Sequence, residues 1–198
     1  MTANEWDEFA IDWDVNADVR DYSEKAYAAW VEKVAPAIRN LPESRVLDFG
    51  CGTGLLAQKL AEQCGQIVAV DSSPKMIEVL DKKIEESDTN NIFTLVAAVD
   101  NQAIGGHPLL SAKFDIVIAS SVCSFLPNYE ATLCSLSSLI NPSGWFVQWD
   151  WISDMPDERI RKAFKASGLA VLSVGQAFSM ESKEGSGGVA MGVGRKLP

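Results

Sequence analysis

The residues best suited to chemistry form a glycine-rich turn. Gly50, Gly52 and Gly54 follow a short apolar run and lead directly into a helical pattern. Glycines let the backbone turn sharply and approach a ligand with no Cβ in the way. The exposed N–H groups at the start of a helix favour a negatively charged group. The turn therefore predicts a ligand-binding site.

The spacing of these glycines separates several kinds of nucleotide site. A dinucleotide fingerprint has its third glycine three residues after the second, but here Gly54 follows Gly52 by two. A phosphate-binding P-loop needs a Gly-Lys-Ser/Thr sequence, which is absent from the turn. An NAD(P)-dependent oxidoreductase is therefore disfavoured, although it stays open as an alternative.

Two acids end the next two predicted strands. Asp71 closes the second strand, where a carboxylate can accept hydrogen bonds from both hydroxyls of a ribose; it also suits a helix N-cap before Ser73 and Pro74. Asp100 ends the third strand and either meets an adenine amino group or serves as a turn residue. The site thus suits an adenosine whose other end is not a phosphate, and the carboxylate of a methionine moiety fits the turn.

The elements that position these residues alternate between strands and helices. This alternation indicates βαβ units and a parallel sheet with helices on both faces. The predicted strands are Arg45–Phe49, Ile67–Val70, Ile92–Val99, Phe114–Ala119 and Trp145–Trp151. The predicted helices are Leu55–Cys64, one opening at Ser73-Pro74, one carrying Tyr129, Leu133, Leu136 and Ile140, and Asp157–Ala166. Two further strand-like pieces, Leu169–Val174 and Val189–Val193, are expected to pair antiparallel across a Gly- and Ser-rich loop.

Four segments resemble, in order, the motifs of class I S-adenosylmethionine-dependent methyltransferases. They are the glycine-turn segment Val46–Gly54, the ribose-acid segment Val68–Met76, the fourth-strand segment Phe114–Ser120 and the turn Leu139–Gly144. The resemblance implies an α/β, Rossmann-like, doubly wound sheet of seven strands, mostly parallel with the last strand antiparallel. It also implies a methyltransferase that uses S-adenosylmethionine, forms S-adenosylhomocysteine and needs no metal.

The resemblance carries residue roles onto this sequence. The methionine part of the cofactor is expected at Asp48, Gly50 and Gly52, with the small residue Cys51 between them, and its amino group near Ser120. The ribose is expected at Asp71 and Ser72, with Met76 in the same motif, and the adenine at Val99 and Asp100.

Residues 1–40 are predicted to form a helical extension, and residues 41–198 the methyltransferase domain. In related enzymes such an extension folds over the cofactor as a lid. Trp13 would then line the substrate side, Arg20 would reach a carboxylate, and Tyr22 would close on the methyl group. The alternative is a surface helix.

The acceptor side is less defined by the sequence. Trp149 and Asp150 fall at the carboxyl end of the fifth strand, where substrates approach; Trp149 suits a pocket or the core equally. Asp150 and Tyr22 are the candidate catalytic residues, because no His–Asp pair is evident. The acceptor is predicted to be a small molecule, and a cofactor-binding regulator or pseudo-enzyme without turnover is the alternative.

Composition bears on the partners. The 198 residues carry a net charge of −10, and no run of basic residues is longer than two, as at Lys82-Lys83, which lies among acids. An acidic surface without a basic patch is unsuited to nucleic acid and to anionic membranes. The four cysteines match no zinc or redox spacing, and a cytoplasmic location is expected. The oligomeric state is left open.

Overall fold

A computed structural model describes residues 3–97, 106–182 and 185–198 of the chain. These residues contain one seven-stranded sheet in the order β3-β2-β1-β4-β5-β7-β6. The strands are β1 (Arg45–Phe49), β2 (Gln66–Asp71), β3 (Ile92–Val96), β4 (Phe114–Ser120), β5 (Ile140–Trp151), β6 (Leu169–Ser182) and β7 (Gly185–Lys196).

The strand directions confirm the predicted sheet. β1 pairs parallel with β2, β2 with β3, and β4 with β5. β7 runs antiparallel to both of its neighbours, β5 and β6. The helices are α1 (Ala3–Asp7), α2 (Ala17–Lys33), α3 (Leu55–Ala61), α4 (Pro74–Ser87), α5 (Pro108–Ser111), α6 (Tyr129–Ser138) and α7 (Asp157–Ala166).

The chain divides into two compact units, residues 1–98 and residues 99–198. In the first unit, α3 and α4 pack on β2, and α2 packs on α3. All four residues from Ile67 to Val70 are fully buried, so both faces of β2 are covered. α4 begins where the sequence predicts it: the Ser73 side chain accepts a hydrogen bond from the Met76 N–H, and Pro74 occupies the first turn.

In the second unit, α7 packs on β6 and β7, and α6 packs on β5 and α7. Phe164 of α7 meets Phe146 of β5 edge-to-face, with ring centroids 5.4 Å apart. Gly168 has a φ of +72° and follows the last turn of α7, as the sequence predicts for a helix stop.

The structure corrects two predicted elements. Ile140 begins β5 instead of ending α6, and residues 141–144 belong to β5 as a bulge, because the pairing with β4 shifts between Phe114 and Ile116. The segment read as a Gly- and Ser-rich loop is largely strand, since β6 continues to Ser182 and β7 starts at Gly185.

Glycines inside the predicted loop explain the second error. A Cβ on Gly187 would stand 2.8 Å from the Trp151 ring, and one on Gly188 would stand 2.8 Å from Cδ1 of Ile152. These glycines therefore allow neighbouring side chains to lie close against β7. Their composition resembles that of a loop, although their role is packing.

Candidate cofactor site

The glycine turn is bound to the end of β2. The N–H groups of Gly50 and Cys51 both donate to the carbonyl oxygen of Val70, at 2.8 and 3.1 Å. Gly50, Gly52 and Gly54 have φ values of +70°, +53° and +79°, in the left-handed region that favours glycine. The turn thus presents its backbone at the start of α3, as the glycine pattern predicts.

Asp71 links the turn to the start of α4. Its Oδ2 accepts a hydrogen bond from the Gly52 N–H at 2.8 Å, and its Oδ1 accepts one from the Ser73 N–H at 2.9 Å. Burial raises the pKa of this carboxyl, while the N–H groups of Ser73, Gly52 and Ser72 oppose the rise. The side chain is therefore fixed in place and keeps free lone pairs for a further donor.

Asp48 lies beneath the same turn, near the end of β1. It is 1% exposed, and its Oδ2 is buried with no hydrogen-bond partner among the described residues. Burial and the charge of Asp71 raise its pKa to about 7. A buried carboxylate oxygen without a partner is costly, so this site is suited to a ligand that brings a positive charge or an N–H donor.

That observation tests the fit of S-adenosylmethionine to the site. The cofactor carries a sulfonium and an ammonium group at its methionine end and two ribose hydroxyls in its middle. Asp48 and Asp71, the two carboxylates at the turn, match these donors in charge and hydrogen-bonding capacity. The residues present therefore fit the cofactor.

The N-terminal residues 3–16, which we call the lid segment, cover the turn. The indole Nε1 of Trp13 lies 3.5 Å from the position that a Cβ on Gly52 would occupy. Asp14 Oδ1 accepts a hydrogen bond from the Thr53 hydroxyl at 2.5 Å, and Asp14 Oδ2 forms an ion pair with Lys83. The lid segment and the glycine turn are therefore in direct contact.

The other two residues predicted from the N-terminal segment are placed on α2. Arg20 is exposed, and its Nη1 donates to the Asp14 carbonyl at 2.6 Å. Tyr22 is buried. Their roles toward a carboxylate and a methyl group stay predictions.

The remaining predicted cofactor contacts are distributed as follows. Ser72 follows Asp71 and is half-buried, and Met76 is buried in the first turns of α4. Ser120 is the last residue of β4 and is half-buried. Val99 and Asp100 lie outside the described residues, so their adenine contacts stay predictions.

Asp150 of the second unit lies at the centre of a buried polar network. Its Oδ1 accepts from the Ser124 N–H at 3.1 Å, and its Oδ2 accepts from the Gln148 side-chain amide at 2.9 Å. Gln148 in turn accepts from the Tyr129 hydroxyl at 2.6 Å. Burial raises the pKa of Asp150 to about 7, and the hydrogen bonds from Ser124, Gln148 and Cys123 oppose that rise.

This network restricts what Asp150 and its neighbour can do. Asp150 is fully buried, and its two carboxylate oxygens are occupied, one by the Ser124 N–H in the segment after β4 and the other by Gln148. Trp149 is also fully buried, and its indole N–H has no partner among the described residues. The base and pocket assignments of Asp150 and Trp149 stay predictions.

His107, the only histidine of the chain, is the N-cap of α5, where its Nδ1 accepts from the Leu109 N–H.

Several contacts at the site were not predicted from the sequence. They are the bond from Ser73 to Asp7, the contacts of Lys83 with Asp14 and with the Thr53 carbonyl, and the chain from Tyr129 through Gln148 to Asp150. Each joins residues far apart in sequence except the last step. The acid pattern of the N-terminus, with Asp7 and Asp14 around Trp13, was the signal available for the first two.

Comparisons with known proteins agree with this geometry. A family model described as a methyltransferase domain matches residues 47–146, about half of the chain. The ubiquinone biosynthesis O-methyltransferase of Thiobacillus denitrificans is 30% identical over 135 residues, which are 67% of this chain and 54% of that protein. The chain thus spans about half the length of this relative.

Solved structures share the fold. The magnesium protoporphyrin IX methyltransferase of Synechocystis PCC 6803, with bound S-adenosylmethionine, aligns with a TM-score of 0.70 at 20% identity, covering 90% of this chain and 80% of that one. A putative methyltransferase in complex with the Haloferax volcanii Trm112 methyltransferase activator aligns with a TM-score of 0.76 at 17% identity, covering 98% of each chain.

Within the described ranges, no helix is long and apolar enough to cross a membrane. Among the same residues, no three His, Cys, Asp or Glu side chains form a group able to hold a metal ion. The cytoplasmic location and the absence of a nucleic-acid partner stay predictions.

The residues matched by the family model include the glycine turn, Asp71 and the whole of β4. The family match confirms the predicted methyltransferase family, and with it S-adenosylmethionine as the methyl donor, while the predicted division at residue 40 stays a prediction. The sheet order and the structural neighbours confirm the predicted fold. The chain belongs to the class I S-adenosylmethionine-dependent methyltransferases.

Proposed function

We propose that this chain transfers the methyl group of S-adenosylmethionine to a small-molecule acceptor by in-line displacement. The observation that carries the proposal is the pair of acids at the glycine turn. Asp48 has a buried oxygen without a partner, and Asp71 is fixed by the Gly52 and Ser73 N–H groups. This combination suits a cationic nucleoside better than a nucleotide phosphate.

The residues of the turn would hold the cofactor along its length. Asp71 would accept hydrogen bonds from the ribose hydroxyls, with Ser72 beside it and Met76 beneath. Asp48, Gly50, Cys51 and Gly52 would hold the methionine end. Because Asp71 is already oriented by two backbone donors, little side-chain entropy is lost when the ribose binds.

A bound cofactor supplies a methyl group on a good leaving group, so the chain's task is to align the acceptor and exclude water. Trp13 covers the turn at Gly52, and the buried Tyr22 follows on α2. These two side chains are the candidates for excluding water on the lid side. Arg20 holds the lid backbone at Asp14.

On the acceptor side, Asp150 supports the segment after β4 through its bond to Ser124. A carboxyl with a pKa of about 7 has a suitable proton affinity for a base near neutral pH. The burial of Asp150 and its hydrogen bonds with Ser124 and Gln148 favour a positioning role for this carboxyl. An acceptor that ionises by itself, or an amine, thiol or carboxylate, needs no such base.

Charge and the relatives both favour a small-molecule acceptor. A net charge of −10 disfavours nucleic acid. The names of the relatives, which refer to ubiquinone biosynthesis and to magnesium protoporphyrin IX, favour a small organic acceptor.

Two measurements test the proposal. Calorimetry with S-adenosylhomocysteine and with NADH separates the cofactor classes: we expect the first to bind and the second not to bind. Incubation of metabolite pools with methyl-labelled S-adenosylmethionine then tests turnover. Firm cofactor binding without any labelled product would favour the regulator or pseudo-enzyme, and failure of S-adenosylhomocysteine to bind would refute the cofactor assignment.

A further inference from the structure

The lid segment is attached to the glycine turn through one carboxylate. Asp14 Oδ1 accepts from the Thr53 hydroxyl, and Asp14 Oδ2 pairs with Lys83. Lys83 Nζ also donates to the Thr53 carbonyl at 2.8 Å. Asp14, Thr53 and Lys83 thus form a closed triangle of contacts, which we call the latch.

The surroundings of the latch make its contacts stronger than those of an exposed ion pair. Thr53 is 1% exposed, and the side chains of Lys83 and Asp14 are only 21% and 29% exposed. Partly buried charges are screened less by water and salt than exposed ones. Charge-assisted hydrogen bonds that share one carboxylate also restrict its orientation.

The latch lies beside the turn. The indole of Trp13, adjacent to Asp14, lies 3.5 Å from the position of a Cβ on Gly52, and the Gly52 N–H is bound by the proposed ribose acid Asp71. A second attachment holds the other end of the lid segment, where Asp7 accepts from the Ser73 hydroxyl at 2.5 Å and from the Lys75 N–H at 3.2 Å. Both attachments consist only of the chain's own side chains and backbone, so neither depends on a ligand atom.

We propose that Lys83 is a positioning residue that latches the lid segment over the glycine turn and thereby sets the rate at which the cofactor enters and leaves. The inference rests on the proposed cofactor site. Lys83 itself needs no contact with the cofactor, because its ammonium group is engaged by Asp14 and by the Thr53 carbonyl. A latch of this kind affects passage in both directions, since the same contacts must break for binding and for release.

The experiment measures association and dissociation rates of S-adenosylhomocysteine by stopped-flow tryptophan fluorescence, in the wild type, Lys83→Met and Asp14→Asn. Loss of one charge-assisted contact of this type corresponds to about a tenfold change in a rate. We expect both rates to rise about tenfold in each variant, with the dissociation constant changed by less than about threefold. The Lys83→Met, Asp14→Asn double variant should match the singles, because all three remove the same contact.

Two further variants serve as controls. Lys82→Met removes the preceding lysine of α4, which is 75% exposed and pairs with Glu86; both rates should stay at their wild-type values. Lys83→Arg keeps a cation that can reach Asp14 and should restore slow exchange. Thermal unfolding of each variant identifies any that is destabilised as a whole. If Lys83→Met is destabilised in this way, the rates measured in Asp14→Asn decide whether the latch exists.

The outcomes separate the latch from the cofactor site. If S-adenosylhomocysteine binds and the rates of Lys83→Met equal those of Lys82→Met, the latch is wrong while the cofactor site stands. If only dissociation accelerates, Lys83 stabilises the bound ligand directly and the latch is again wrong. If S-adenosylhomocysteine does not bind the wild type, the proposed site and the latch fall together.

Discussion

The unpartnered oxygen of Asp48 leads to a measurable dependence of cofactor affinity on pH. Burial and the charge of Asp71 raise the pKa of Asp48 from 3.8 to about 7. A cationic ligand placed beside this carboxyl favours its ionised form, so binding should release the proton that Asp48 holds below that pH. Affinity is therefore expected to increase as pH rises toward 7 and to level off above it.

The size of the effect follows from the shift. A change of about 3 pKa units corresponds to about 4 kcal/mol between the two protonation states. If the bound cofactor restores an ordinary pKa, affinity gains up to tenfold per pH unit, or roughly 50-fold from pH 5 to pH 7. Asp48→Asn should abolish this slope, leaving a weak affinity that is the same at both pH values.

Calorimetric titration with S-adenosylmethionine at pH 5 to 8 measures the slope. Repeating it at pH 6 in buffers of different ionisation enthalpy counts the protons, and we expect nearly one to be released. Asp150→Asn is the matched control, because the pKa of Asp150 is also raised to about 7 but Ser124 and Gln148 already occupy its two carboxylate oxygens. A flat wild-type profile, or a slope that persists in Asp48→Asn, would refute the reasoning.

Three other predictions concern Gly54, Asp150 and Asp71. In Gly54→Ala, the left-handed backbone and a methyl group 2.9 Å from Leu80 Cδ2 should lower stability by about 3 kcal/mol in urea unfolding; the same loss in the exposed Gly106→Ala would contradict this cause. For Asp150, stability is fully present below the unfolded pKa of 3.8 and falls by up to about 4 kcal/mol as pH rises to about 7. Asp150→Asn should remove that fall, and a pH-independent difference from the wild type in urea unfolding would count against it. Asp71→Ala should weaken S-adenosylhomocysteine binding in calorimetry by roughly 30-fold, and a loss of less than threefold would exclude the ribose contact.

Local patterns in the sequence predict much of this fold. The bounds of β1 and α7 agree with the prediction, because an apolar run ending in glycines and an amphipathic run ending at Gly168 are local signals. Ile140 is predicted to be helical because the helical spacing from Leu136 continues past the end of α6. Pairing with β4, which is a tertiary effect, decides that Ile140 belongs to β5.

In the candidate site, too, some features are predicted by local sequence signals and others arise only in the folded chain. The turn and Asp71 are visible in the sequence because a family motif keeps them at fixed spacing. The contact of Asp14 with Lys83 and Thr53 joins three separate segments, so no periodicity or spacing predicts it. The raised pKa of Asp48 is also not predictable from the sequence. It arises from burial and from the charge of Asp71, which only the folded chain brings close.

The distribution of charge around the turn also decides between ligands. Asp14 of the lid segment is neutralised by Lys83, whereas Asp71 is bound only by backbone N–H groups and Oδ2 of Asp48 has no partner among the described residues. A pyrophosphate would add two negative charges beside these acids, and the N–H groups of Gly50, Cys51 and Gly52 are already bound within the chain. A sulfonium with an ammonium group brings the opposite charge to the same place and needs only one anion bound at the turn, its own carboxylate. The two-residue glycine interval and the acid pair therefore favour the same ligand for independent reasons, one steric and one electrostatic.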